Sequence, residues 1–374
     1  MTFAYGTAAL TTRFRLSQLG AEHPPRAIAT SGISDDSRQS FFELLTLKAP
    51  IAHKTIRTPR LKSIHIQPTC RYINTNSRAD QIMQLPDGRT LGYAEYGPET
   101  GYPLMYLHGY PQCRYEGSVM ENTLHRHGIR MIAPDRPGFG LSTDKSNRRI
   151  MDWPADVQAL AGHLGLPCFA LMGGSGGGPY TLACAHALPH EMMSAVGILA
   201  GGGDWQAGAD HMPWIYRISA LAADYWPAGL QGSLGILVWM FRSGLNSRKG
   251  IQWLDGYLRK DKEKHSKTVE ERRMEILRAL FEPFKQGAGP AAYEAKLLSQ
   301  DWGIAFGDIT YNNLHIWHAG EDWNSPLPMT EFYVKQLTNN PSFKVYENDT
   351  HWTIHRHLDD ILSELIPESS STKA

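Results

Sequence analysis

The chain has 374 residues, 42% hydrophobic and 20% charged, with a formal net charge of zero. That is enough chain for a large core, built as one domain with an insertion or as two domains. A balanced charge supplies no global attraction to nucleic acid or to an anionic membrane, so no nucleic-acid partner is expected and membrane contact is disfavoured, with a membrane-touching lid through LGILVWMF (234–241) as the alternative.

The charge is uneven along the chain. Residues 1–78 hold 11 Lys/Arg against 4 Asp/Glu. They show no sustained period of 2 or 3.6, and only the short apolar patch FFELLTL (41–47) interrupts them. This region reads as an N-terminal extension, largely disordered. Arg13 and Arg15 among hydroxyls, with no acid before Glu22, also fit a mitochondrial transit peptide. A cytoplasmic location is the first expectation and a mitochondrial one the alternative.

Order begins near Asp80. QIMQL-PDG-RTLGYAEYG reads as a hairpin around a Pro-Asp-Gly turn. PLMYLHG (103–109) and IRMIAPD (129–135) are short apolar runs that suit buried strands, and a helix over 113–127, stopped by Gly128, lies between them. A helix over 153–164 precedes the strand CFALMGG (168–174); a helix over 179–188 precedes the strand SAVGILAG (194–201). LHIWHAG (314–320) and SFKVYEN (342–348) are the last strands, followed by helices over 327–338 and 355–365. Strands alternating with helices mean an α/β fold, a mostly parallel central sheet covered on both faces. Residues 204–307 break the alternation and read as a helical insertion, with the core at 79–203 and 308–366 and a tail at 367–374.

Four cysteines form no CxxC pair, so no metal site is expected. Cys168 and Cys184 fall in core-like segments and read as buried free thiols. No apolar run reaches the ~18 residues of a membrane span; LGILVWMF (234–241) is far shorter.

The chemistry concentrates in LMGGSGGGPY (171–180). A phosphate loop would need a lysine where Pro179 follows Gly178. A linker would not join an apolar strand to an Ala/Leu helix. Gly173-Gly174-Ser175-Gly176-Gly177 is a G-x-S-x-G between strand and helix, the nucleophile elbow. The sharp turn puts the serine in a strained conformation, and the neighbouring glycines remove the Cβ atoms that would clash. It lifts the Ser175 hydroxyl above the sheet and aims the Gly176 amide at a developing oxyanion.

A serine hydroxyl needs a base, and the base an acid. Asp322, in AGEDWNSP, and His351, in NDTHW, follow in the order Ser, Asp, His, each in a loop after a strand. Glu321 and Asp204 compete for the acid, and His355 and His357 for the base. The second oxyanion amide is expected from Tyr110, after Gly109 in LHGYP; His108 reads as structural rather than as a base.

LHGYP, DRPGFGLS (135–142), GGSGG, the GEDWNSP loop and the DTH near the C-terminus together resemble the α/β-hydrolase fold superfamily over about residues 80–366. The resemblance implies the α/β-hydrolase fold with a helical cap at 204–307. It implies Ser175 as nucleophile, Asp322 as acid, His351 as base, and Tyr110 and Gly176 as oxyanion-hole amides, with no cofactor. DRPGFGLS matches a structural turn and is assigned no chemistry. HAGEDWNSP carries alanine where HG-x-x-D is common.

A serine nucleophile favours hydrolysis of an ester, lactone, thioester or amide through an acyl-enzyme. A lyase, a cyclase or a ligand-binding protein on the same fold is the alternative. Six of the ten tryptophans fall in 204–307: Trp205, Trp214, Trp226, Trp239, Trp253 and Trp302. With Tyr216, Tyr225, Tyr257 and Phe241 they point to a hydrophobic small-molecule substrate. The run 258–284, with alternating charge signs, reads as a solvated helix face.

Overall fold

The computed structural model describes residues 77–260 and 267–366. The extension up to residue 76, with FFELLTL and Cys70, the tail from 367, and residues 261–266 of the charged run lie outside the described residues.

Eight strands form one sheet: β1 (Gln81–Gln84), β2 (Thr90–Tyr96), β3 (Tyr102–Leu107), β4 (Ile129–Pro134), β5 (Phe169–Gly174), β6 (Met193–Leu199), β7 (Leu314–Ala319) and β8 (Ser342–Tyr346). Their spatial order is β1-β2-β4-β3-β5-β6-β7-β8. The β1–β2 and β2–β4 pairs are antiparallel, and all others are parallel. The first hairpin closes as the Pro-Asp-Gly sequence dictates: Gly88, at φ +84°, turns the chain, and its amide bonds the Leu85 carbonyl at 2.9 Å.

The helices α1 (Glu121–His127), α2 (Trp153–His163), α3 (Gly178–Ala187), α9 (Leu327–Val334) and α10 (Leu358–Leu365) belong to the alternating part. Five more, α4 (Trp214–Tyr225), α5 (Pro227–Leu245), α6 (Arg248–Leu258), α7 (Val269–Phe281) and α8 (Gly289–Ser299), lie between β6 and β7. This is the helical insertion expected from the sequence.

Each face of the sheet has its own core. One side packs Val157 and Leu160 of α2 and Leu182 of α3 against Met105, Ile132 and Leu171. The other packs Leu124 of α1 and Leu362 and Leu365 of α10 against Leu104, Met131 and Met172. Strands buried on both faces explain the unbroken apolar runs, each fully buried Leu or Met contributing about 1.5–3 kcal/mol.

Three local expectations are corrected. The helix expected over 113–127 begins as a 3-10 turn, Arg114–Met120, and only Glu121–His127 is α-helical. Gly117 there lies so close to the Tyr96 ring that a Cβ would approach it to 2.8 Å. The helix expected over 355–365 likewise opens as a 3-10 turn, Ile354–His357, holding His355 and His357. Cys168 is exposed, because it stands one residue before β5 enters the sheet, whereas Cys113 and Cys184 are buried.

Candidate functional site

Ser175 sits at the carboxyl end of β5 with φ +50°, the left-handed conformation that an elbow requires and that costs a non-glycine residue about 1–2 kcal/mol. The turn closes because its flanks carry no side chain. A Cβ on Gly173 would fall 2.0 Å from Thr181 Oγ1, and one on Gly177 would fall 2.2 Å from the Leu107 carbonyl oxygen.

His351 Nε2 lies 3.0 Å from Ser175 Oγ. Its Nδ1 lies 2.7 Å from Asp322 Oδ2. With the Nδ1 proton directed to the carboxylate, Nε2 is left to accept the Ser175 proton. Asp322 is nearly fully buried, and its Oδ1 accepts the amides of Asn324 at 2.9 Å and Ser325 at 2.8 Å. Those two bonds lock the carboxylate against rotation. His318 Nε2 donates to the Ser325 carbonyl at 2.8 Å, and burial lowers the His318 pKa, so a neutral ring buttresses the Asp322 loop.

The competing acids and bases go elsewhere. Asp204 is buried and caps the short turn Trp205–Ala207, accepting the Gln206 amide at 2.8 Å, and burial raises its pKa. Glu321 is exposed. His357 Nε2 pairs with Asp349 at 2.8 Å, and His355 Nδ1 bonds the Trp352 carbonyl. His108 is fully buried; burial, then the Arg136 charge, pushes its pKa well down, which leaves a neutral structural ring.

The structure brings the Tyr110 loop against the elbow. A Cβ on Gly176 would lie 3.1 Å from the Tyr110 nitrogen. Beside it is a carboxyl group that no motif singled out, Glu116. Glu116 accepts the Gly109 amide at 2.6 Å and the Tyr106 hydroxyl at 3.2 Å, and burial raises its pKa. Among the described residues no group of His, Cys, Asp and Glu is placed to hold a metal ion.

The insertion departs from expectation. Trp214, Trp226, Trp239 and Tyr225 are 69%, 67%, 67% and 85% exposed, and Trp253 and Phe241 are exposed as well. Trp302 is buried, but against Phe306 and against Tyr333 of the core. The tryptophans therefore do not line a substrate site as a group. The apolar groups near Ser175 are others: Leu298 of α8, whose Cδ1 would lie 3.2 Å from a Cβ on Gly176, and Trp352, edge-on to His351 with ring centroids 4.9 Å apart. Among the described residues no helix is long and apolar enough to cross a membrane.

A family profile described as the α/β hydrolase fold matches residues 102–225. Non-heme chloroperoxidase of Streptomyces lividans is 36% identical over 112 residues, 29% of this chain and 41% of that protein. The matches span less than half the length of these curated relatives. Among solved structures, an esterase from Exiguobacterium antarcticum aligns at 16% identity and TM-score 0.52, over 76% of this chain and 97% of its own. Epoxide hydrolase A from Mycobacterium thermoresistibile aligns at 17% identity and TM-score 0.53, over 77% and 99%. At such identities the likeness is one of fold.

Proposed function

We propose, from the α/β hydrolase profile over residues 102–225 and the fold shared with solved hydrolases, that the chain is a serine hydrolase cleaving an ester, lactone, thioester or amide of a hydrophobic small molecule. The observation that carries this is the run of contacts Ser175 Oγ–His351 Nε2, 3.0 Å, and His351 Nδ1–Asp322 Oδ2, 2.7 Å, beside the amides of Tyr110 and Gly176.

In this reading Ser175 Oγ attacks the substrate carbonyl as its proton passes to His351 Nε2. Asp322 stabilises the imidazolium. The two amides hold the oxyanion. His351 then gives its proton to the leaving group, the acyl-enzyme forms, and His351 activates water to release the acid. Leu298 and Trp352 support an apolar substituent on the substrate. A serine at the elbow, where an aspartate would serve dehalogenation or epoxide opening, argues for acyl transfer.

The test is a fluorophosphonate probe mapped by mass spectrometry. The expected result is one adduct, on Ser175, lost in His351→Ala, together with saturable turnover of a short aryl ester. A folded protein with neither labelling nor turnover would leave the binding-protein or lyase reading in its place.

A further inference from the structure

The carbonyls of His108 and Gly109 are both held by one guanidinium. Arg136 Nη1 donates to the His108 oxygen, and Nη2 donates to the Gly109 oxygen at 3.0 Å. His108 Nδ1 donates to the same Gly109 oxygen at 2.8 Å. Among the described residues the cis peptide is the one between Tyr110 and Pro111, so the Gly109–Tyr110 peptide is trans. In a trans peptide the C=O and N–H point in opposite directions. Fastening the Gly109 oxygen on the Arg136 side therefore turns the Tyr110 N–H away from Arg136, toward the elbow at Gly176. On the amino side Glu116 grips the Gly109 amide at 2.6 Å, which fixes the preceding peptide as well.

Arg136 is in turn fixed by the insertion. Its Nε lies 2.7 Å from Glu294 Oε1 on α8, with both side chains fully buried. The other Glu294 oxygen meets Arg148 Nη2 at 2.5 Å and the Tyr180 hydroxyl at 2.9 Å. One turn earlier on α8, the Ala291 carbonyl accepts the Tyr110 hydroxyl at 3.0 Å. The same helix thus holds Tyr110 by its side chain and, through Arg136, by its backbone.

We propose that Arg136 and Glu294 are positioning residues for the oxyanion site, so that helix α8 of the insertion sets the aim of the Tyr110 amide; this rests on the serine-hydrolase reading above. Arginine is required because three planar N–H groups reach a carboxylate and two carbonyls at once. A lysine supplies one point charge and cannot span them. An amide turned off line donates poorly, and donors at a developing oxyanion act mainly on turnover rather than on substrate binding.

The experiment compares Arg136→Lys with Arg148→Lys in the full chain, each checked by circular dichroism. Arg148 shares the Glu294 carboxylate but is not among the groups bonded to the 108–110 carbonyls, so its variant reports the cost of loosening the buried cluster alone. Steady-state kinetics on an aryl ester are read beside inhibition by a trifluoromethyl ketone. Ser175 Oγ adds to that carbonyl carbon while its proton passes to His351, which leaves the ketone oxygen as an oxyanion.

For Arg136→Lys, kcat is expected to fall by about tenfold or more, with KM within about twofold, and ketone inhibition to weaken in parallel. Arg148→Lys is expected to leave kcat within about twofold. Equal losses of kcat in the two variants, or a loss confined to KM with ketone inhibition unchanged, would overturn the proposal. If Arg136→Lys does not fold, Tyr110→Phe, which cuts the link to Ala291, is read by the same two measurements. Absence of fluorophosphonate labelling at Ser175 in the unaltered protein would instead sink the hydrolase reading, and this proposal with it.

Discussion

Glu294, on a helix of the insertion, and Arg136, in the loop after β4, form an ion pair at 2.7 Å with both side chains at zero exposure. Burial alone would raise the Glu294 pKa, but the Arg136 and Arg148 charges and the hydrogen bonds outweigh it and hold the carboxyl below its ordinary value near 4.5. A carboxyl whose folded pKa is depressed contributes stability that is present above the unfolded value and is lost as pH falls through the folded one. Part of the acid sensitivity of this protein should therefore arise below about pH 4.5 from Glu294. Glu294→Gln is expected to unfold about 3–5 kcal/mol more easily at neutral pH, since two buried guanidiniums lose their counter-charge. Its stability should also fall less steeply into the acid range. Urea denaturation across pH reads both; an unchanged acid slope would contradict the assignment.

At Ser175 the backbone and the side chain make separable predictions. Ser175→Ala should fold and lose ester turnover by about a thousandfold or more. Ser175→Gly should be equally inactive yet more stable than the alanine variant by about 1 kcal/mol, because glycine adopts φ +50° without the Cβ penalty. Differential scanning calorimetry of the two variants decides this; an alanine variant as stable as the glycine one would mean that the elbow stores no strain.

The two buried aspartates weighed for the acid, Asp322 and Asp204, should part company. Asp322→Asn disturbs the bond that orients His351 and is expected to lower kcat by about 10³–10⁴-fold. Asp204→Asn leaves a turn cap that asparagine serves as well, so kcat should stay within about twofold. Kinetics on the purified pair check the order, and the reverse order would move the acid to Asp204.

Exposure and proximity predict which apolar residues of the insertion affect substrate. Leu298→Ala should raise KM for a butyrate ester more than for an acetate ester. Trp239→Ser, at a side chain 67% exposed, should change neither. A rise in KM for the tryptophan variant alone would reverse the assignment of the lining.

What the sequence made legible was local. An apolar run ending in glycine marks a strand buried on both faces, and G-x-S-x-G between such a strand and a helix leaves one geometry for Ser175. Asp322 and His351 were legible because each follows a strand and so falls in a loop at the same sheet edge. Arg136 was in view inside DRPGFGLS, but its partner is 158 residues away, and no periodicity links them. Glu294 left a faint mark: it is a lone acid on the α8 stripe that carries Ala291 and Leu298, where an apolar residue would be expected. The tryptophans misled for the opposite reason. Composition counts side chains without saying which way a helix turns them, and most of those in α4 to α6 turn outward.

The Arg136–Glu294 attachment bears on whether the insertion can be exchanged. A chimera that spliced a foreign insertion between β6 and β7 would inherit the core's two guanidiniums at 136 and 148 without their counter-ion. It would also lose the Ala291 carbonyl that receives Tyr110. The insertion and the elbow at Ser175 are therefore parts of one inherited unit, and recombination must carry α8 along with the open sheet it answers to.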